Sequence, residues 1–344
     1  MKFLHITDGD EKFIPSYIEF IKCYFDEENH EFIVYSRFKE RRLQKTQFIR
    51  LNRIQSFLEV REKIKNANMV ILHGLLDFHL VSNLFFMPQK TKFLWLIWGG
   101  DLYSYLHRYK SLKNFLRHFL RRMFIKKIGK VGSYLKGEVS IARKVFGFNG
   151  KWEKCLLYTS NSNDEFFRIK KVKLKSHIDR ILVGNSGYAT NNHLEIFQKL
   201  FLLKNSRNFK VICPLSYGNQ KYIEKVIASG YKYFGNQFVA KDKFIPYIDY
   251  LNFLNEIDIA IFDFSRQLGI GNIIPLLCLG KTVYMRHDIE PAQTLLSIGF
   301  KIGDPRANIT SRLPSSDLEQ NIMLSRQEFS SANLVLSYTS IGFY

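Results

Sequence analysis

The sequence predicts an α/β protein built from two consecutive Rossmann-like domains with a cleft between them. Three observations carry that expectation. The chain has 344 residues, too many for one simple core and suited to two domains of about 150 residues each. Both halves alternate short apolar runs with helical patterns, as doubly wound layers do. A charged run without apolar periodicity, Arg168–Ser176, reads as an interdomain linker near residues 165–178. The expected domains are 1–168 and 178–324, with 325–344 a segment of mixed polarity that packs back on the first domain.

In the first half, Phe3–Thr7, Phe32–Tyr35, Met69–His73 and Phe93–Trp98 are apolar runs without clean alternation. Such runs suit parallel strands buried on both faces. Phe57–Lys65 has a helical pattern. The second half reads as strand Arg180–Val183, helix Asn191–Leu203, strand Phe209–Pro214 and helix Lys221–Ser229. Helix Pro246–Asn255, strand Ile257–Phe262, helix Gly271–Leu279 and strand Thr282–Met285 follow.

Hydrophobic residues make up 46% of the chain, with 31 Phe and 18 Tyr, which excludes global disorder. Cys23, Cys155, Cys213 and Cys278 are widely spaced, without CxxC or zinc spacing to His. They read as buried, reduced thiols. The N-terminal apolar stretch is too short for a signal peptide, and no window has the ~18 apolar residues of a membrane span. A cytoplasmic protein is expected.

The net charge of +20 at pH 7 points to a polyanionic partner. Nucleic acid, an anionic membrane face and phosphorylated substrates are the candidates. Residues 102–137 hold no acidic residue but carry Arg108, Lys110, Lys113, Arg117, Arg121, Arg122, Lys126, Lys127, Lys130 and Lys136. Leu112, Phe115, Leu116, Phe119, Leu120, Met123 and Phe124 form a stripe at helical spacing. Such a helix either packs its stripe on the core or lies in a headgroup layer with its cations on anionic lipid. No DNA or RNA module accompanies the charge, which makes nucleic acid the least favoured partner.

Three strand ends carry motifs. Ile181-Leu182-Val183-Gly184-Asn185-Ser186-Gly187, followed by Asn191-Asn192-His193, is a strand, a Gly-rich turn and a helix. Phe264-Ser265-Arg266-Gln267-Leu268-Gly269-Ile270-Gly271-Asn272 repeats that order. Backbone amides at such helix starts bind phosphate, and Arg266 adds a guanidinium. Both turns sit at carboxyl ends of strands, where open α/β sheets bind ligands. In Trp98-Gly99-Gly100-Asp101, Asp101 reads as a helix cap or as a general base. His73-Gly74 ends another strand, with His73 a base or a structural histidine. Asp8-Gly9-Asp10 is a weak metal motif.

Taken in order, Trp98-Gly99-Gly100-Asp101-Leu102-Tyr103, Ile181–Gly187 with Asn192-His193, Pro214 and Tyr217 with Tyr222-Ile223-Glu224, and Arg266–Gly271 resemble one family. It is the TDP-N-acetylfucosamine:lipid II N-acetylfucosaminyltransferase family, also described as 4-alpha-L-fucosyltransferase. The resemblance runs from about residue 3 to residue 290 and includes His5, Asp10 and His73-Gly74.

The resemblance implies a GT-B-type glycosyltransferase with its donor nucleotide mainly in the C-terminal domain. It implies a TDP-sugar donor, a polyprenyl-diphosphate-linked saccharide acceptor, and peripheral attachment to the inner face of the cytoplasmic membrane. It also implies that no bound metal is needed. On this reading Gly184, Asn185, Ser186, Gly187, Tyr217, Tyr222, Gln267, Gly269, Gly271 and Asn272 line the donor. Arg266 stabilises the leaving diphosphate. Asp101, then His73, is the first choice to contact the acceptor hydroxyl. Arg108, Lys113, Arg117, Arg121, Arg122, Lys126 and Lys127 face the membrane and acceptor. Tyr188-Ala189-Thr190 departs from the family's more polar run, which sets the base or sugar pocket apart. A non-catalytic nucleotide- or glycan-binding protein is the alternative.

Overall fold

The structure, a computed structural model, describes residues 1–7, 13–34, 47–48, 54–75, 77–87, 92–103, 111–162, 164–169, 178–204, 207–264, 269–307, 309 and 312–344. The chain divides into two compact units, Met1–Ser162 with Ser331–Tyr344, and Asn163–Ser330.

The first unit holds strands β1 (Phe3–Thr7), β2 (His30–Val34), β3 (Gln47–Phe48), β4 (Met69–His73), β5 (Phe93–Leu96), β6 (Lys130–Ser133) and β7 (Lys151–Lys154). They form one parallel sheet in the order β3-β2-β1-β4-β5-β6-β7. β1, β4 and β5 are buried at every position, which explains their unbroken apolar runs. Helices α1 (Ile14–Tyr24), α2 (Ile54–Asn66), α3 (Phe78–Phe85), α4 (Leu112–Ile125) and α5 (Lys136–Ile141) connect the strands. Trp95 of β5, Phe124 of α4, and Phe146 and Phe148 share one core cluster, fully buried. Each such side chain contributes about 1.5–3 kcal/mol by leaving water.

The second unit opens with α6 (Glu165–Arg168). Then come β8 (Asp179–Val183), α7 (His193–Leu203), β9 (Phe209–Pro214), α8 (Gln220–Phe234), β10 (Phe238–Lys241), α9 (Tyr247–Asn255), β11 (Ile259–Phe262), α10 (Ile270–Cys278), β12 (Thr282–Met285), α11 (Glu290–Ile298) and α12 (Ser315–Glu328). Its parallel sheet has the order β10-β9-β8-β11-β12. The chain winds outward from β8 through β9 to β10, then resumes on the other side at β11. The loops after β8 and β11 therefore leave adjacent strands at the topological switch point.

The structure adds β3, β6, β7 and β10 to the strands expected from sequence. Each is short, and β7 reads Lys-Trp-Glu-Lys, with both lysines exposed and Glu153 buried. The expected linker begins as helix α6 inside the second unit, so the first unit ends at Ser162 rather than 168. The C-terminal segment is split. Asn321 of α12 exchanges hydrogen bonds with the backbone of Lys301 at 2.7 and 2.8 Å, fixing α12 to the second unit. The final helix α13 (Ser331–Ile341) belongs to the first unit. There the buried Tyr338 hydroxyl donates to Leu157 O at 2.6 Å, and Phe343 packs on Phe3. Cys155, Cys213 and Cys278 are buried free thiols, whereas Cys23 is exposed because it lies on the outer face of α1.

Candidate active site

The β8 loop is built from its own side chains. Gly184 has φ +70°, the left-handed region where a glycine avoids Cβ strain. The Asn185 N–H donates to Asn191 Oδ1 at 2.9 Å, and Asn191 Nδ2 donates to Ser186 Oγ at 3.2 Å. Asn192 is also left-handed, at φ +53°. Its amide offsets that strain by donating to Asp263 O at 2.7 Å, which ties the β8 loop to the β11 loop. The Gly187 N–H donates to Tyr217 O at 2.8 Å, and Tyr217 hydrogen-bonds Ser186 through its side chain. Tyr222 reaches down from α8, its hydroxyl 3.4 Å from His193 Nδ1.

The second Gly-rich turn meets the first. Gly269, at φ +70°, caps α10, and a Cβ there would lie 3.4 Å from Asn185 Cγ and 2.8 Å from Phe264 Cζ. Gly271 lies open, with nothing within 4 Å of its Cβ position. Asn272 hydrogen-bonds Tyr250. The structure thus gathers Gly184–Gly187, Tyr217, Gly269 and Asn272 at one sheet edge, with Tyr222 beneath. Arg266 and Gln267 lie outside the described residues. The α10 N-terminus opens on this edge, so its amides and dipole favour an anion there.

Sequence reasoning missed the charges beside these turns. Asp263, immediately after β11, is buried, with Arg286 Nε and Arg306 Nε each 3.8 Å from Oδ1. Burial raises its pKa, while Arg286, Arg306 and Lys199 oppose the rise. Arg286 also holds Asp288 in a two-pronged pair at 2.8 and 2.6 Å. An acidic residue one step past a strand end is the signal that could have found Asp263. Nothing local marked Arg306.

In the first unit, Asp101 does not reach outward. Its Oδ2 accepts from Leu75 N at 2.9 Å and Trp95 Nε1 at 2.6 Å. Its Oδ1 accepts from Trp98 N at 3.0 Å and Leu102 N at 2.9 Å. Two donors per oxygen fill a carboxylate's capacity, and Asp101 has no exposed surface. Burial raises its pKa against these hydrogen bonds and the nearby Arg121. The expected contact with an acceptor hydroxyl is therefore corrected: Asp101 holds the loop after β5 to the loop after β4.

His73 is likewise enclosed. Its Nδ1 is 2.7 Å from the Tyr158 hydroxyl, and its Nε2 is 3.1 Å from His5 Nδ1. His5 Nε2 continues to His30 Nδ1 at 2.9 Å, and Trp98 Nε1 donates to Tyr158 at 2.7 Å. Burial keeps the row neutral, with His73 pushed down to about 3, His30 to about 4 and His5 well below its usual value. Both His73 nitrogens are occupied, so direct contact with an acceptor is corrected to a place inside a buried row. Among the described residues no cluster of His, Cys, Asp or Glu can hold a metal. Asp8 and Asp10 lie outside them.

Helix α4 turns the first part of its apolar stripe outward, whereas Phe124 at its end is buried in the core. Leu112, Phe115, Leu116 and Phe119 are 83%, 51%, 53% and 48% exposed, at the i, i+3, i+4, i+7 spacing of one face. The opposite face buries His118, Arg121 and Ile125. Arg121 therefore does not face outward as expected; burial lowers its pKa and Asp101 opposes that shift. Lys113, Arg122, Lys126 and Lys127 are exposed and Arg117 half-buried, while Arg108 lies outside the described residues. No helix of the described residues is long and apolar enough to cross a membrane.

Two parallel doubly wound sheets, with Gly-rich turns meeting at the switch point of the second, make up a fold of the GT-B class. The fold is shared with a UDP-forming alpha,alpha-trehalose-phosphate synthase from Burkholderia xenovorans, at TM-score 0.65 and 8% identity over 99% of this chain and 98% of that one. It is shared with a glycosyltransferase from Rickettsia africae, at TM-score 0.63 and 13% identity over 99% and 97%. The N-terminal domain of Candida albicans trehalose-6-phosphate phosphatase matches at 0.65 and 11% over 99% and 96%. The chain belongs to the 4-alpha-L-fucosyltransferase family, glycosyl transferase group 56, which it matches over residues 20–292. The family resemblance of the ordered motifs is thereby borne out.

Proposed function

We infer that this glycosyltransferase moves a fucose-like sugar, of the N-acetylated deoxyamino type, from a TDP-sugar to a polyprenyl-diphosphate-linked glycan. The meeting of the Asn185 and Gly269 turns carries the donor half of this reading. Gly184–Gly187 and the amides at Gly269 and Gly271 face the departing diphosphate, with Arg266 adding a cation. Preorganised N–H groups and a helix dipole stabilise that leaving charge without bound metal. Tyr188 and Tyr217, exposed and edge-to-face at 6.3 Å, offer aromatic surface to the base or sugar.

The exposed face of α4 supports a peripheral site on the cytoplasmic face of the cytoplasmic membrane. Apolar side chains insert, and the flanking lysines and arginines meet anionic headgroups. A lipid-linked acceptor lies in that same layer.

A thermal-shift screen of TDP-, UDP- and GDP-sugars tests the donor. A matched donor at 100 times its Kd adds about 2.7 kcal/mol. If TDP-sugars give no shift while another base does, the TDP assignment falls. Arg266→Ala should lower turnover roughly a hundredfold with the fold intact; near-normal turnover removes Arg266 from the mechanism.

A further inference from the structure

His193 opens α7 and has no exposed surface. Its ring reaches under the first glycine of the β8 loop: a Cβ on Gly184 would lie 2.5 Å from His193 Nε2 and 2.9 Å from Asn191 Oδ1. The two side chains are differently employed. Asn191 Oδ1 already accepts the Asn185 N–H. His193 Nδ1 faces the Tyr222 hydroxyl, whereas the buried Nε2 has no hydrogen-bond partner among the described residues. A buried nitrogen in that state carries a standing cost until a partner arrives.

Burial pushes the His193 pKa down to about 4, so the ring is neutral near pH 7. With the Tyr222 O–H donating to Nδ1, the ring proton sits on Nε2, which becomes a donor. The N-terminus of an eleven-residue helix and a buried imidazole N–H thus converge on one turn. Both favour an anion.

We propose that His193 is a diphosphate-binding residue: its Nε2–H donates to a phosphate oxygen of a nucleoside diphosphate seated on the Gly184–Gly187 turn. Gly184 lacks a side chain at the point where the imidazole and that oxygen meet. This assignment rests on the donor reading above and adds to it a side chain deep in the sheet edge.

Calorimetric titration of the full chain with thymidine diphosphate, uridine diphosphate and thymidine tests it. His193→Phe keeps the ring volume without the donor, and His193→Gln returns an N–H near the Nε2 position. His193→Phe should weaken thymidine diphosphate binding tenfold or more and leave thymidine unchanged. His193→Gln should stay within about threefold of wild type. The wild-type His193 Nε2 resonance should shift when thymidine diphosphate saturates the protein. Unchanged diphosphate affinity in His193→Phe overturns the proposal, as does an equal loss for thymidine and thymidine diphosphate. If His193→Phe does not fold, an unmoved Nε2 resonance at saturation overturns it. A wild type that binds no nucleoside diphosphate overturns the donor reading as well.

Discussion

The Trp95 indole donates to Asp101 Oδ2 at 2.6 Å, entirely inside the first unit. The bond joins the middle of β5 to the loop that follows it, and Leu75 N shares the same oxygen from the β4 side. Asp101→Asn places an NH2 group against backbone and indole donors. We expect a loss of about 2–4 kcal/mol in stability, read as a lower Tm. The remaining folded enzyme should keep the wild-type pH–rate profile. Loss of the basic limb of that profile would restore Asp101 as a base.

The glycine turns give a contrast between neighbours. Gly269→Ala meets Phe264 at 2.8 Å with φ +70° and should cost roughly 2 kcal/mol or more. Gly271→Ala lies in the first turn of α10 with open space around it, and should hold or raise Tm by up to about 1 kcal/mol of stability. Equal destabilisation of the two would contradict the backbone described here.

The buried histidines predict acid lability. Burial holds the folded pKa values of His5, His30, His73 and His193 below the 6.5 usual for a free imidazole. Below that value the unfolded chain binds more protons than the native one. Their contribution is complete above about pH 6.5 and is lost as pH falls toward 4, at up to about 1.4 kcal/mol per pH unit for each histidine. The raised pKa values of Asp101 and Asp263 act in the opposite sense. Thermal unfolding should show Tm dropping between pH 6.5 and 5; a flat Tm across that window contradicts the neutral row.

The exposed face of α4 predicts two separable contributions to membrane binding. Phe115→Ser with Phe119→Ser should weaken partition to vesicles about tenfold or more, with little salt dependence in the change. Charge reversal at Lys113, Arg122 and Lys126 should weaken binding to anionic vesicles and leave neutral vesicles alone. Undiminished sedimentation of both variants would detach α4 from the membrane.

Much of the fold was legible because parallel strands buried on both faces need continuous apolar runs. β1, β4, β9 and β12 have the expected bounds. β7 and β10 escaped because edge strands need no such run, and β6 because Lys130, Gly132 and Ser133 interrupt it. The Gly-rich turns were legible, since a left-handed backbone selects glycine. Their mutual contact was not, because it depends on the crossing of the chain from β10 to β11. The stripe on α4 was visible as a period, but a period does not say which face is wet. For Asp101 the two roles use the same residue type, and only the four donors around it decide between them.

Helix α13 gives the first unit an unusual timetable. Tyr338 and Phe343 fill its interior beside Phe3, yet they are synthesised long after the rest of that unit. All of Asn163–Ser330 is synthesised before them. The second unit can therefore finish folding while the first still waits for its closing helix. During translation the second unit is complete first, and the unit that carries α4 matures only once α13 has followed.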